Sequence, residues 1–68
     1  MDRSLSPRER VVVLLMSHGL SNKQIARQLS IDPETVKSHA KRIFLKLTAR
    51  TRAQAVYRAA RLGLIALQ

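Results

Sequence analysis

Four times in 68 residues the chain spells out the start of an α-helix, and nothing else in it limits the fold as strongly. Ser6-Pro7-Arg8-Glu9, Ser21-Asn22-Lys23-Gln24 and Thr51-Arg52-Ala53-Gln54 each set a hydroxyl three positions before Glu or Gln. At that spacing the hydroxyl accepts from the third helical N–H, and the longer side chain returns to the N–H of the cap. The fourth start is Asp32-Pro33-Glu34, where Asp32 is expected to accept from the first turn. Pro33 stands where its missing N–H costs nothing, and Glu34 faces the positive end of the helix dipole. Gly19 and Gly63 are placed to close helices in the left-handed conformation. These signals predict helices at about 7–18, 22–29, 33–47 and 52–62, an all-α four-helix bundle. The β-like run "VVVLL" (Val11 to Leu15) follows a capping box and extends into Met16, so its length favours helix.

A chain this short, with no cysteine, folds as one small domain without disulfide staples, and residues 5–65 are expected to form its folded unit. Net stability should be only about 3–5 kcal/mol, which makes capping and close helix packing matter. No run reaches the ~20 apolar residues of a membrane span and no secretory h-region is visible, so a cytoplasmic address without membrane contact is expected.

Charge is unevenly placed. Residues 1–34 hold five bases and all four acids, net +1; residues 35–68 hold eight bases and no acid, net +8. A field of that kind attracts polyanions, and nucleic acid is the commonest one in a cell. The imbalance sharpens in the third helix. At 100° per residue, Val36, Ala40, Ile43 and Leu47 share one apolar stripe, with Glu34, Ser38, Lys41 and Arg42 opposite and Lys37 to one side. No acid after Glu34 supports the cations at i, i+4, so an external anion is the expected countercharge.

The second helix buries Ile25, Ala26 and Leu29, with Ala26 small enough for a close crossing. Ser30-Ile31-Asp32 then forms a three-residue turn, and Val36 returns to the core. Helix, short turn and second helix with a polar outer face is the helix-turn-helix, whose second helix enters the major groove. The turn often holds glycine; here Ser30 has to bear any positive φ at about 1 kcal/mol.

The stretches "LSPRERVVVLLMSHGLSNKQIARQLSIDPETVKSHAKRIFLKL", "RTRAQAV" and "RLGLI" resemble the LuxR/FixJ-type (GerE-like) DNA-binding domain of bacterial transcription regulators, over nearly the whole chain. The resemblance implies helices 2 and 3 as the reader of double-stranded DNA, helix 4 as the dimer helix, and binding to paired half-sites. By the same resemblance Lys37, Ser38 and Lys41 approach bases, while Lys23, Thr35, Arg42, Lys46 and Arg50 hold the phosphate backbone. Relatives of this kind join the domain to a receiver, a small-molecule-binding domain or a large ATPase-type regulator, so an N-terminal regulatory domain or RNA polymerase is a candidate partner. "KLTAR" and "RAQAV" lean toward the last type. Thr48 stands where glycine is frequent, leaving the turn into helix 4 open. Val11, Leu14 and Leu45 stand where charged or polar residues are usual, which implies either a slightly greasy surface or a docking face.

Within helix 4, Ala55, Ala59 and Leu62 are assigned to the core, leaving Ala53, Val56 and Ala60 as a second apolar stripe for a weak homodimer. So small a patch, with Arg52, Arg58 and Arg61 expected to repel their symmetry mates, should pair only on DNA. Phe44 and Tyr57 are the only aromatics, too few for a stacking platform, and Phe44 at least belongs to the core. His39 is expected as a packed, hydrogen-bonded side chain rather than a metal ligand. No nucleophile motif, glycine-rich loop or paired-acid arrangement points to an enzyme, a cofactor or a small-molecule ligand. Two other readings compete: a sigma-factor region 4-like promoter-recognition domain, and a basic helical module for proteins or membranes.

Overall fold

The computed structural model describes residues 5–66; Asp2 and Arg3, counted in the charge above, lie outside them. Four helices follow in order, α1 (Pro7–Ser17), α2 (Asn22–Leu29), α3 (Pro33–Leu47) and α4 (Arg52–Arg61), with no strand among the described residues. Their starts are those the sequence announces. Ser6 and Ser21 form complete capping boxes, with Ser6 N–H donating to Glu9 Oε1 at 2.9 Å and Ser21 N–H to Gln24 Oε1 at 2.8 Å.

At the other two starts the position is as expected but the capping bonds differ. Thr51 Oγ1 accepts from Gln54 N–H at 3.1 Å, but Gln54 Oε1 reaches past the cap to Arg50 N–H at 2.8 Å. Asp32 makes no side-chain cap bond. Its own carbonyl takes the Thr35 N–H at 2.9 Å, one of the two donors a capping carboxylate would use, and Pro33 offers no N–H.

All four helices end by one device. Gly19, Ser30, Thr48 and Gly63 each adopt positive φ. The residue after each sends its N–H five residues back: Leu20 to Leu15, Ile31 to Ala26, Ala49 to Phe44 and Leu64 to Ala59, at 2.8–3.3 Å. This is the Schellman closure, and its apolar following residue is present every time. Ser30 thus carries the positive φ foreseen for it. Thr48 does so as well (φ 52°, ψ 41°), resolving the turn into α4 at the expense of a strained β-branched residue.

The helices enclose one core centred on Val12, Val13, Ile25, Val36 and Ile43, all fully buried. Small residues sit where backbones approach: Ala26 on α2 and Ala55 and Ala59 on α4 are buried, as the spacing predicts. Leu62 is the exception. It lies past the last turn of α4 and is exposed, because the chain reverses at Gly63 and brings Leu64 and Ile65 against the core instead. Those two residues also border a shallow groove with Val11 and Leu14, so the extra apolar surface of α1 is partly lined by the chain's own C-terminal end. Leu45 does not join it, being 78% exposed on the outer face of α3.

Candidate nucleic-acid interface

Burial of Val36, Ala40, Ile43 and Leu47 fixes the rotation of α3 about its axis and so decides what its other face presents. That face carries Glu34, Lys37, Ser38, Lys41 and Arg42, all exposed. At 3.6 residues per turn the first four span an arc of about 100°. The αL turn at Ser30 holds α2 beside α3, and Lys23 and Thr35, in the first turns of the two helices, are exposed as well. An open groove runs along the outer side of α3 to the start of α4, lined by Glu34, Lys37, Ser38, Lys41 and Arg50. The structure therefore brings the three expected base-reading positions together with Arg50 at one surface.

Lys46 is placed differently. Its ammonium donates to Glu9 Oε1 at 2.9 Å, and Glu9, on α1, is only 3% exposed. One carboxylate thus caps α1 and ties it to the end of α3. Burial pushes the Glu9 carboxyl up, but the hydrogen bond from Lys46, those from Ser6 and the positive charge of Lys46 outweigh it and hold the group below its ordinary value. The capping box announced this acid as local chemistry; its tertiary partner, 37 residues away, had no local signal.

Two arginines of α4 also bond to neighbouring segments. Arg52 donates from Nη1 to the Leu20 carbonyl at 2.7 Å and from Nη2 to Asn22 Oδ1 at 2.6 Å. Arg58 Nη1 donates to the Leu47 and Thr48 carbonyls at 3.1 and 2.8 Å, satisfying the C-terminus of α3. Both guanidiniums are thus held by neutral oxygens of this chain and keep their positive charge. Of the three, Arg61 stays outward, its guanidinium 5.9 Å above the exposed Tyr57 ring.

On the stripe assigned to pairing, Ala53 is exposed and Val56 and Ala60 are half-buried. Val56 packs partly on the core, and Ala53, Val56 and Tyr57 line a shallow apolar groove with Met16. Tyr57 belongs to this surface, which sequence reasoning overlooked; its i+4 spacing from Ala53 was the available signal. Phe44 is half-buried against the core. His39 is half-buried at the edge of the apolar stripe, and the hydrogen bonds among the described residues include none from its ring.

Comparison with known proteins agrees with the four-helix fold. The transcription factor GerE superposes over 100% of both chains with a TM-score of 0.89 and 34% identity. The response regulator ChrA of a heme-sensing two-component system matches 96% of this chain, and 32% of its own, with a TM-score of 0.91 and 37% identity. In sequence, the putative HTH-type transcriptional regulator Rv0890c of Mycobacterium tuberculosis is 50% identical over 60 residues, 88% of this chain but 7% of that protein. The nitrate/nitrite response regulator NarL of Escherichia coli is 45% identical over 51 residues, 75% of this chain and 24% of NarL. The chain thus spans a small fraction of these curated relatives. The family model described as bacterial regulatory proteins, luxR family, matches residues 3–59, so the chain belongs to the luxR family.

Proposed function

We propose that this domain binds double-stranded DNA sequence-specifically as the output module of a bacterial transcription regulator, with α3 in the major groove. The observation that carries the reading is the outer face of α3. Lys37, Lys41 and Arg42 lie exposed there, Lys37 and Lys41 lining one groove with Arg50, while the opposite face is sealed in the core. A cationic helix face whose rotation cannot change presents fixed donors to the acceptor-rich edges of bases and to phosphates. Family membership supports this role over the sigma-factor alternative.

Within this reading Lys37, Ser38 and Lys41 read bases, and Lys23, Thr35, Arg42 and Arg50 hold phosphates. Lys46 keeps two of its three ammonium donors after binding Glu9, enough for a phosphate beside the end of α3. Ala53, Val56 and Ala60, with Tyr57 beside them, form the contact of a weak homodimer assembled on paired half-sites. Partners consistent with the role are a regulatory domain, for which the length of the relatives leaves room, and RNA polymerase. A reader of chromosomal DNA works in the cytoplasm.

Duplex binding followed by fluorescence anisotropy tests the proposal. The logarithm of the binding constant should fall with log salt at about 0.9 per phosphate neutralised. Lys41→Ala should lose about 1–3 kcal/mol and relax preference at one or two base pairs, whereas Lys23→Ala should weaken all duplexes alike. Affinity insensitive to salt would refute duplex binding, and identical, sequence-independent losses in the two variants would refute Lys41 as a reader.

A further inference from the structure

We propose that Glu34 and Lys37 read a single G·C base pair as one unit, the Glu34 carboxylate accepting from cytosine N4–H2 while the Lys37 ammonium donates to guanine O6 and N7. This rests on the reading of α3 as a major-groove helix.

Glu34 is an acid in an unfavourable place. Glu9 is buried on Lys46, but Glu34 is 81% exposed and lies in the arc of Lys37, Ser38 and Lys41, on the groove those residues line. A carboxylate on a surface that meets a polyanion is repelled by it. Its structural duties are light. The ion pair with Lys37 is 4.0 Å long, with Lys37 71% exposed, and exposed pairs of this kind contribute little. The favourable interaction with the helix dipole is open to any acid in the first turn, including one turned away from the groove. Neither duty requires the acid at this position.

Base-edge chemistry does require it. A G·C pair presents the cytosine N4–H2 donor beside the guanine O6 and N7 acceptors in the major groove, and Glu accepts from the first as Lys donates to the second. Glu34 and Lys37 hold an acceptor and a donor side by side in the matching order of chemistry. An A·T pair fits less well, because adenine N7, an acceptor, lies beside its N6–H2 donor and repels a carboxylate. Position agrees, since residues in the N-terminal part of a recognition helix are the ones that reach base edges. Ser38 Oγ donates to the Glu34 carbonyl at 3.2 Å, an added tie within the helix segment that holds both side chains.

The test starts by selecting preferred sites for the 68-residue chain from a pool of randomised duplexes. Each base pair of the selected site is then changed in turn, and binding is measured for wild type, Glu34→Gln, Glu34→Ala and Lys37→Ala. Wild type should lose roughly 5- to 150-fold at one G·C pair in each half-site. Glu34→Gln should move the preference at that pair to A·T, because a carboxamide bonds adenine N6 and N7 together. Glu34→Ala and Lys37→Ala should relax discrimination at the same pair and leave the others intact. Tighter binding of every duplex by both Glu34 variants, with all preferences kept, would overturn the proposal while leaving DNA reading by α3 in place. So would Glu34 and Lys37 variants that affect different base pairs. A wild type that binds all duplexes alike would overturn the underlying reading, and this inference with it.

Discussion

Replacing Glu9 by Gln separates the two duties of that residue. Glutamine keeps the length and a carbonyl oxygen, so the bond from Ser6 N–H at 2.9 Å can survive, and what disappears is the charge that holds Lys46. A hydrogen bond to a charged group contributes about 1.5–3 kcal/mol. Lys46 is 35% exposed and regains water when released, which places the loss at the low end. The neutral amide is also less costly to bury than the 3% exposed carboxylate, which brings the expected loss to about 1 kcal/mol. For a domain of this size that is a fall in Tm of roughly 4–8 °C near neutral pH, readable by circular dichroism at 222 nm. The pH dependence identifies the cause. Glu9 titrates lower in the folded chain than its ordinary value of 4.5. Its contribution is therefore complete above the unfolded value and is lost as pH falls through the folded one. The gap in Tm between wild type and Glu9→Gln should be full at pH 7, narrow below about 4.5 and close at lower pH. A gap of constant size down to pH 3, or a variant as stable as wild type at pH 7, would refute the reasoning. If Lys46 is released toward DNA, the same variant should steepen the salt dependence of duplex binding by up to about one phosphate, an effect opposite in sense to its loss of stability.

Three other substitutions probe the end of α3 and the outer stripe of α4. Thr48→Gly relieves a left-handed β-branched residue, about 1–2 kcal/mol, against roughly 0.4–1 kcal/mol of added freedom in the unfolded chain, so Tm should rise by a few degrees; a fall would show that Thr48 is not strained. Arg58→Met removes the donors to the Leu47 and Thr48 carbonyls and should cost about 1–2 kcal/mol in urea titrations, while an unchanged midpoint would mean that water caps α3 as well as the guanidinium does. Val56→Glu should reduce cooperativity on paired half-sites while single-site affinity falls only modestly, and full cooperativity in the variant would remove α4 from the dimer contact.

Helix starts were legible because they are local. Ser6 with Glu9, and Ser21 with Gln24, carry both halves of a capping box within four residues, and the structure forms both. The apolar stripe of α3 was legible for a similar reason: Val36, Ala40, Ile43 and Leu47 repeat at the helical period, and a 15-residue helix has only one face with that content. With that stripe buried, the exposure of Lys37, Ser38 and Lys41 followed. Helix ends were half legible. Gly19 and Gly63 announced themselves, whereas Thr48 takes the same conformation because the connection to α4 requires it.

The partners of long polar side chains were decided by tertiary structure alone. Periodicity gives a direction from the helix axis but not the identity of what lies there. It placed Lys46, Arg52 and Arg58 on the surface as cations, but it could not show that each ends within reach of a carboxylate or backbone carbonyl on a neighbouring segment. Leu62 failed for a related reason, since its angle on α4 pointed to the core but the helix ended before it and Gly63 turned the chain away. Repeats and caps act over three or four residues and are written in the chain itself. Which distant groups meet depends on how four helices settle around a handful of buried side chains, and that geometry exists only once the core has formed.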